Sequence, residues 1–410
     1  VTKPRVSTKL CCVLALTLGC AGAAEGAGPA KGSLVIIGGG LRADNAAVWR
    51  RIVALAGGRG ARIAVFPTAA IDPAREGRIE ADHLNRYGAR AFVVPLAPRL
   101  AGARGAPARE PADDPAVTAS IRRAGGAFFT GGDQARITAA LRRPDGSNTA
   151  ALDALWALYR RGGVIAGTSA GAAIMSSTMF NDPPLDVLPV LKNGVVDGKD
   201  IAPGLGFIGN DVFVDQHVLV RGRFARMLPA MLANGYTLGL GIDEDTAVVI
   251  GPARRAVVIG YRGALVLDLA QATVDQAQPH FNLANARISY LDSGDTFDLV
   301  RRDYVPGPDK APLNPADREH RAPIFHADIL GNSSVVDLLE KLVDSDREHA
   351  VGLAFDGPEG QAPERGFEFT FTRVPETAAY ATNLEDAYSI YRIRMDVRPV
   401  RLHQPLYSLE

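Results

Sequence analysis

Short, unbroken apolar runs alternate with longer stretches of helical spacing through the first half of the chain. Ser33-Leu34-Val35-Ile36-Ile37 is the first run; it ends in Gly38-Gly39-Gly40 and leads into a helical stretch to Ala56, closed by Gly57-Gly58. Ala61 to Pro67 and Ala91 to Leu96 repeat the form, with a helix predicted between them from about Ala74 to Tyr87. Pro98 to Pro115, rich in Pro, Ala and Arg, reads as a loop, and Ala116 to Ala124 as a helix leading into the run Gly126-Ala127-Phe128-Phe129. Further helices, one ending near Leu141 and one from Ala151 to Arg161, lead to a fifth run beginning at Val164. Strands apolar at every position are covered on both faces, and helical crossovers between them make them parallel. The pattern predicts an α/β fold, a doubly wound, mostly parallel sheet with its sites at the carboxyl ends of the strands.

The second half changes period. Val212 to His217 and Leu238 to Glu244 read as further buried strands with polar ends, and residues 256–259 and 264–267 as a hairpin about Tyr261-Arg262-Gly263 that closes the main domain. Arg302 to Pro323 is proline-rich and reads as a connector. Beyond it Val335 to Val343 has helical spacing, while Phe367 to Thr372 and Tyr391 to Val397 alternate as half-buried strands. The expected layout is an α/β domain over 32–300, a connector over 301–323 and a small α+β extension over 324–410.

Composition fits a globular protein: 410 residues, 22% charged and 47% hydrophobic, with formal net charge +0. A neutral chain has no long-range field to attract nucleic acid, so a charged ligand must be read by a local cluster. Residues 1–23 stand apart: Lys3, Arg5 and Lys9 precede the apolar run Leu10 to Leu18, and small residues follow. This is the form of a secretory signal peptide, with Ala21-Gly22-Ala23 as cleavage site. Leu18-Gly19-Cys20 offers a lipoprotein reading with Cys20 acylated, and plain secretion is preferred. All three cysteines, Cys11, Cys12 and Cys20, fall in this segment, so the mature chain is expected to lack disulfides and cysteine chemistry. No other stretch has the roughly 18 uninterrupted apolar residues of a membrane span.

Candidate chemistry gathers at strand ends. Gly167-Thr168-Ser169-Ala170-Gly171 has the G-x-S-x-G form, in which flanking glycines let a strand turn sharply into a helix and leave a serine hydroxyl exposed. Gly131 and Gly132 end another run; the backbone N–H groups of Gly132 and Ala170 are candidates for an oxyanion hole, worth about 3 to 4 kcal/mol per donor. Gly38 to Gly40 lack the glycine spacing of a dinucleotide site, since Ala43 stands at the third glycine position, and fit a close backbone approach at a site's rim. Of the seven histidines, His217 alone ends a buried strand in the α/β region and is the candidate base. Glu244 is the candidate acid that orients it. The order Ser169, His217, Glu244 differs from the serine, acid, histidine order of α/β-hydrolases. Arg221, Arg223 and Arg226 follow His217; Arg223 and Arg226, at i, i+3, suit a carboxylate clamp whose loss would weaken substrate use more than the fold.

Taken together, residues 129–134, 167–172, 215–217 with the three arginines, and 241–244 resemble the cyanophycinase family, of the dipeptidase E class of serine peptidases. The resemblance covers about residues 32–270. It implies a class I glutamine amidotransferase-like, or flavodoxin-like, α/β core, and a serine exopeptidase that takes β-Asp-Arg dipeptides from cyanophycin, a polyaspartate bearing arginine on each side chain. It also implies Ser169 as nucleophile, His217 as base, Glu244 as its orienting acid, a substrate site including Gln134, Asp215, Gln216, Arg221, Arg223 and Arg226, and a homodimer. No metal or cofactor is expected, because histidine can activate the hydroxyl. Val218 and Asp245 depart from the aromatic residue and asparagine common in the family. The leader and the long carboxyl-terminal region resemble the extracellular branch. An aspartyl dipeptidase and an inactive secreted polymer-binding protein are the competing readings.

Overall fold

The computed structural model describes residues 32–97, 109–181, 186–314, 318, 320–356, 364–382, 387–403 and 406; the expected leader over 1–23 lies outside them. The apolar runs become β1 (Ser33–Ile37), β2 (Arg62–Phe66), β3 (Arg90–Val93), β4 (Gly126–Phe129) and β5 (Val164–Thr168). They are parallel in the order β3-β2-β4-β5-β1. Successive side chains of a strand face opposite ways, so Val35 and Ile37 pack against the helices Ala46–Leu55 and Pro73–Arg86. Leu34 and Ile36 enter the opposite core, with the helices Pro115–Arg122, Gln134–Leu141 and Ala150–Arg160. The helices start where the sequence provides caps: the side chains of Asn45, Asp72, Asp114, Asp133 and Thr149 each accept a first-turn N–H.

The α/β expectation holds, and the strands are divided between two large sheets of mixed parallel and antiparallel pairing. After a short pair, β6 (Thr178–Phe180) and β7 (Ile201–Pro203), the strands β8 (Phe213–Gln216) and β9 (Leu238–Ile242) open a second sheet. β10 (Thr246–Ile250) then returns to the first sheet, antiparallel to β1, and β11 (Arg255–Gly260) pairs with it. β12 (Ala264–Asp268) and β13 (Leu283–Leu291) belong to the second sheet, β14 (Thr296–Asp298) and β15 (Tyr304–Val305) to the first. Residues 256–267 therefore form no hairpin: β11 pairs with β10 and β14, β12 with β9 and β13, and Tyr261-Arg262-Gly263 carries the chain between sheets. β12, buried along Ala264–Leu267, lies between β9 and β13, and the less buried β11 lies between β10 and β14.

The carboxyl-terminal strands do not stand apart either. β16 (Lys310–Pro312), β17 (Phe325–His326), β18 (His349–Ala354), β19 (Glu364–Thr372), β20 (Ala378–Thr382) and β21 (Tyr388–Leu402) continue the second sheet, β21 pairing with β13. The helix Ser334–Val343 shares a core with the helix Phe224–Ala233 on one side of it. The proline-rich stretch is fastened from within: Lys310 Nζ, with a fully buried side chain, meets Asp295 at 2.9 Å, Asp292 at 3.1 Å and Ser389 Oγ at 2.8 Å. No helix among the described residues is long and apolar enough to cross a membrane.

Breaking a buried ion pair from one side strands the other charge. Lys310→Ala is thus expected to lower unfolding stability by about 3 to 5 kcal/mol, read from denaturant midpoints; a loss below about 1 kcal/mol would remove this cluster as a brace between β14–β16 and β21.

Candidate active site

The sheet order makes β4, β5 and β1 neighbours, so their carboxyl ends, Gly131-Gly132, Ser169 and Gly38 to Gly40, lie side by side. At Ser169 the chain turns with φ 54° and ψ −111°, a conformation that strains any side-chain-bearing residue by roughly 1 to 3 kcal/mol. The flanking glycines permit it. A Cβ on Gly167 would lie 2.2 Å from the Gly171 carbonyl oxygen, so the strand and the following helix can approach only without one.

The other two members come from the second sheet. His217 follows β8 with φ 54°, and its N–H donates to the Gly38 carbonyl at 2.9 Å. The imidazole lies over Gly39, where an added Cβ would sit 2.2 Å from Cε1. Glu244 follows β9, and next to it Asp245 N–H donates to the Gly39 carbonyl at 2.8 Å. The result is a continuous array: Ser169 Oγ lies 2.8 Å from His217 Nε2, and His217 Nδ1 lies 2.6 Å from Glu244 Oε1. With Nδ1 facing a carboxylate, its hydrogen donates to Glu244 and Nε2 is left to accept from the serine hydroxyl. Burial, and then the nearby Arg221 guanidinium, lower the His217 pKa against the opposing pull of Glu244. The ring is therefore held neutral and able to take a proton.

Ser169 and His217 open on a cavity of about 400 Å³, within the range of small-molecule sites. Gly132, Gln134, Gln216, Arg221 and Arg223 also line it. No hydrogen bond from the backbone N–H of Gly132 or Ala170 is found among the described residues. Arg223 Nη1 donates to the carbonyl and Oε1 of Gln216, and burial lowers its pKa to about 10. Gln134 Nε2 donates to the Phe180 carbonyl at 2.9 Å.

Asp215 and Arg226 are not in the cavity lining. They form a buried, two-pronged ion pair, Nε to Oδ2 at 2.7 Å and Nη2 to Oδ1 at 2.8 Å, with the guanidinium 4.0 Å from the centre of the Phe180 ring. The expected pairing of Arg223 with Arg226 as a clamp is thus corrected. Arg226 is engaged beneath the site, and Arg221 is the arginine that shares the cavity with Arg223. The two departures noted in sequence also point elsewhere: Val218 is fully buried in the core of the second sheet, and Asp245 holds Asn45 Nδ2 at 2.8 Å and Arg42 Nε at 2.8 Å.

Two lining residues escaped the sequence reading, Glu76 and Glu80 of the helix Pro73–Arg86. Their i, i+4 spacing on the helix after β2 was the available signal. A helix with so many charges reads as a solvated face, yet Glu80 is nine-tenths buried and its pKa is pushed up to about 8 by burial, with Glu76 adding to the shift.

An α/β fold carrying a serine, a histidine and a carboxylate in hydrogen-bonded series defines a site of the serine-hydrolase kind. Residues 34–254 match Peptidase family S51, over half of the chain, and the chain belongs to that family. It is 34% identical over 205 residues to a cyanophycinase of Trichormus variabilis, a match covering 48% of this chain. The chain spans 65% of that relative's length. A cyanophycinase of Synechococcus elongatus is 31% identical over 280 residues, covering 66% of this chain and 80% of the relative. A crystal structure of a peptidase from an acI-B1 Actinobacterium is similar at TM-score 0.46 and 21% identity, over 66% of this chain and 98% of that one.

Removing one partner of a buried ion pair costs about 3 to 5 kcal/mol, so Arg226→Met is expected to lower Tm by several degrees; an unchanged Tm would contradict the buried pairing. The His217 ring followed by NMR should titrate below the ordinary histidine value of about 6.5. Arg221→Gln removes a cation that disfavours the imidazolium, so it should move that midpoint upward; no movement would remove Arg221 from the balance.

Proposed function

We propose that this chain is a secreted serine exopeptidase that degrades cyanophycin to β-Asp-Arg dipeptides through an acyl-enzyme on Ser169. The observation that carries the reading is the Ser169–His217–Glu244 array opening on a cavity that also holds Arg221 and Arg223. Likeness to the cyanophycinases supports the substrate, and the five parallel strands with helices on both faces support a doubly wound core. Secretion rests on the pattern of residues 1–23, and a homodimer on the family resemblance.

In the proposed reaction Ser169 Oγ attacks the scissile carbonyl carbon while its proton passes to His217 Nε2. Glu244 accepts from Nδ1 and stabilises the imidazolium without taking the proton. The backbone N–H groups of Gly132 and Ala170 receive the charge that develops on the carbonyl oxygen. Collapse breaks the carbon–nitrogen bond, the imidazolium gives its proton to the departing amine, and an ester to Ser169 remains. Water, deprotonated by His217, attacks this ester; the serine recovers its proton and the carboxylate product leaves. Arg221 and Arg223 hold a substrate carboxylate, because guanidinium groups match carboxylates in bidentate geometry.

Purified protein incubated with insoluble cyanophycin should release β-Asp-Arg, identified by mass spectrometry. Ser169→Ala should reduce the rate by about 10⁴-fold or more. Undiminished release by that variant would remove Ser169 as nucleophile. Cleavage of free Asp-X dipeptides alone would favour an aspartyl dipeptidase, and binding of the polymer without release would favour a binding protein.

A further inference from the structure

The catalytic cavity contains charges of both signs from different parts of the fold. Arg221 and Arg223 reach it from the segment after β8, in the second sheet; Glu76 and Glu80 reach it from the helix after β2, in the first. The proposed reaction uses the arginines and leaves the glutamates without a task.

Their surroundings are unusual for structural acids. Glu76 makes no ion pair or side-chain hydrogen bond among the described residues. Glu80, nine-tenths buried, has one side-chain partner, His83, whose Nδ1 lies 3.2 Å from Oε2. His83 is a weak counter-charge: its ring packs 5.3 Å from Trp49, and burial, with Arg86 adding, lowers its pKa against the pull of Asp82 and Glu76. A buried carboxyl with no cation beside it is costly, and the free cavity tolerates Glu80 because its raised pKa keeps much of it protonated at neutral pH. A cation entering the cavity would reverse that balance. The groups it would meet there are Glu76 and Glu80, with the positive charges limited to Arg221 and Arg223.

We propose that Glu76 and Glu80 form the subsite that receives an arginine side chain of the substrate, while Arg221 and Arg223 take a carboxylate of the same ligand. This rests on the cyanophycin reading above and assigns residues to it that neither the motifs nor the arginine run indicated. Residues four apart on a helix lie one above the other on one face, so the two carboxyls can share one planar guanidinium. The subsite discriminates by charge. Citrulline has nearly the shape of arginine but a neutral urea group in place of guanidinium, so it should fit the space and lose the charge-assisted bonds.

The test uses the full chain in two stages. Release of β-Asp-Arg from cyanophycin by the natural sequence checks the underlying reading by itself. Binding is then measured by calorimetry in the Ser169→Ala background, with β-Asp-Arg and β-Asp-citrulline as ligands. The arginyl ligand should bind about tenfold more tightly or better. Glu76→Gln with Glu80→Gln should abolish the preference while leaving citrulline affinity within about twofold. Glu76→Gln alone, at a partly exposed position, should reduce the preference and remains informative should the double variant fold poorly. Persistence of the full preference in both variants would overturn the assignment, as would equal binding of the two ligands by the parent protein. If the natural sequence releases the dipeptide while either of these results holds, the subsite fails and the peptidase reading stands.

Discussion

The seam between the two sheets is the constraint on which the site depends. Gly38 to Gly40, at the end of β1, are fastened to the ends of β8 and β9 by the 2.9 Å bond from His217 N–H to the Gly38 carbonyl and the 2.8 Å bond from Asp245 N–H to the Gly39 carbonyl. These bonds set the distance between a serine carried by the first sheet and a histidine and glutamate carried by the second. The absence of a Cβ at Gly39 then lets the imidazole occupy the space between Ser169 and Glu244. Ser169, His217 and Asp245 all have positive φ, so unfavourable backbone energy is concentrated where the sheets meet. Packing must sustain it: the core that holds Leu34, Ile36 and Ile165 of the first sheet also holds Val214, Leu240 and Val266 of the second.

The remainder of the chain steadies the segment that carries His217, Arg221 and Arg223. Asp243 Oδ1 accepts from Leu219 N–H at 3.0 Å and Val220 N–H at 3.1 Å, and the Asp215–Arg226 pair locks the end of β8 to the helix Phe224–Ala233. The carboxyl-terminal region contributes directly. Ser333 N–H donates to the Leu219 carbonyl at 3.1 Å, and a Cβ on Gly222 would lie 2.3 Å from the Leu330 carbonyl oxygen. The matched family region ends at residue 254, yet the segment bearing His217 is braced by Leu330 and Ser333, well beyond it.

Much of this was legible in the sequence because local rules and tertiary structure agree there. The first five strands were visible as mainly apolar runs, and the marked strand ends Gly131-Gly132, Ser169 and His217 line the cavity. What was illegible depends on long-range choices. Nothing local tells whether β11 and β12 pair with each other or separate into different sheets; the short link Tyr261-Arg262-Gly263 allows both, and each strand takes its two partners from distant parts of the chain. Helical spacing put Arg223 and Arg226 on one face but could not show that Asp215 already claims Arg226. The alternation of the carboxyl-terminal strands was visible, whereas their continuity with β13 rests on pairing across more than 100 residues, Ile288 with Ile393 among them. Glu76 and Glu80 were concealed by a rule that holds for most charged helices, since only the assembled cavity distinguishes a buried helix face from a solvated one.

The central claim is that the seam makes the Ser169 hydroxyl a nucleophile through His217. A serine-directed fluorophosphonate, followed by peptide mapping with mass spectrometry, tests this without assuming a substrate. The account predicts one adduct, on Ser169, formed rapidly by the natural sequence and lost in a folded His217→Ala variant. Labelling of Ser169 at the same rate without His217, or labelling that falls on a different residue, would contradict it.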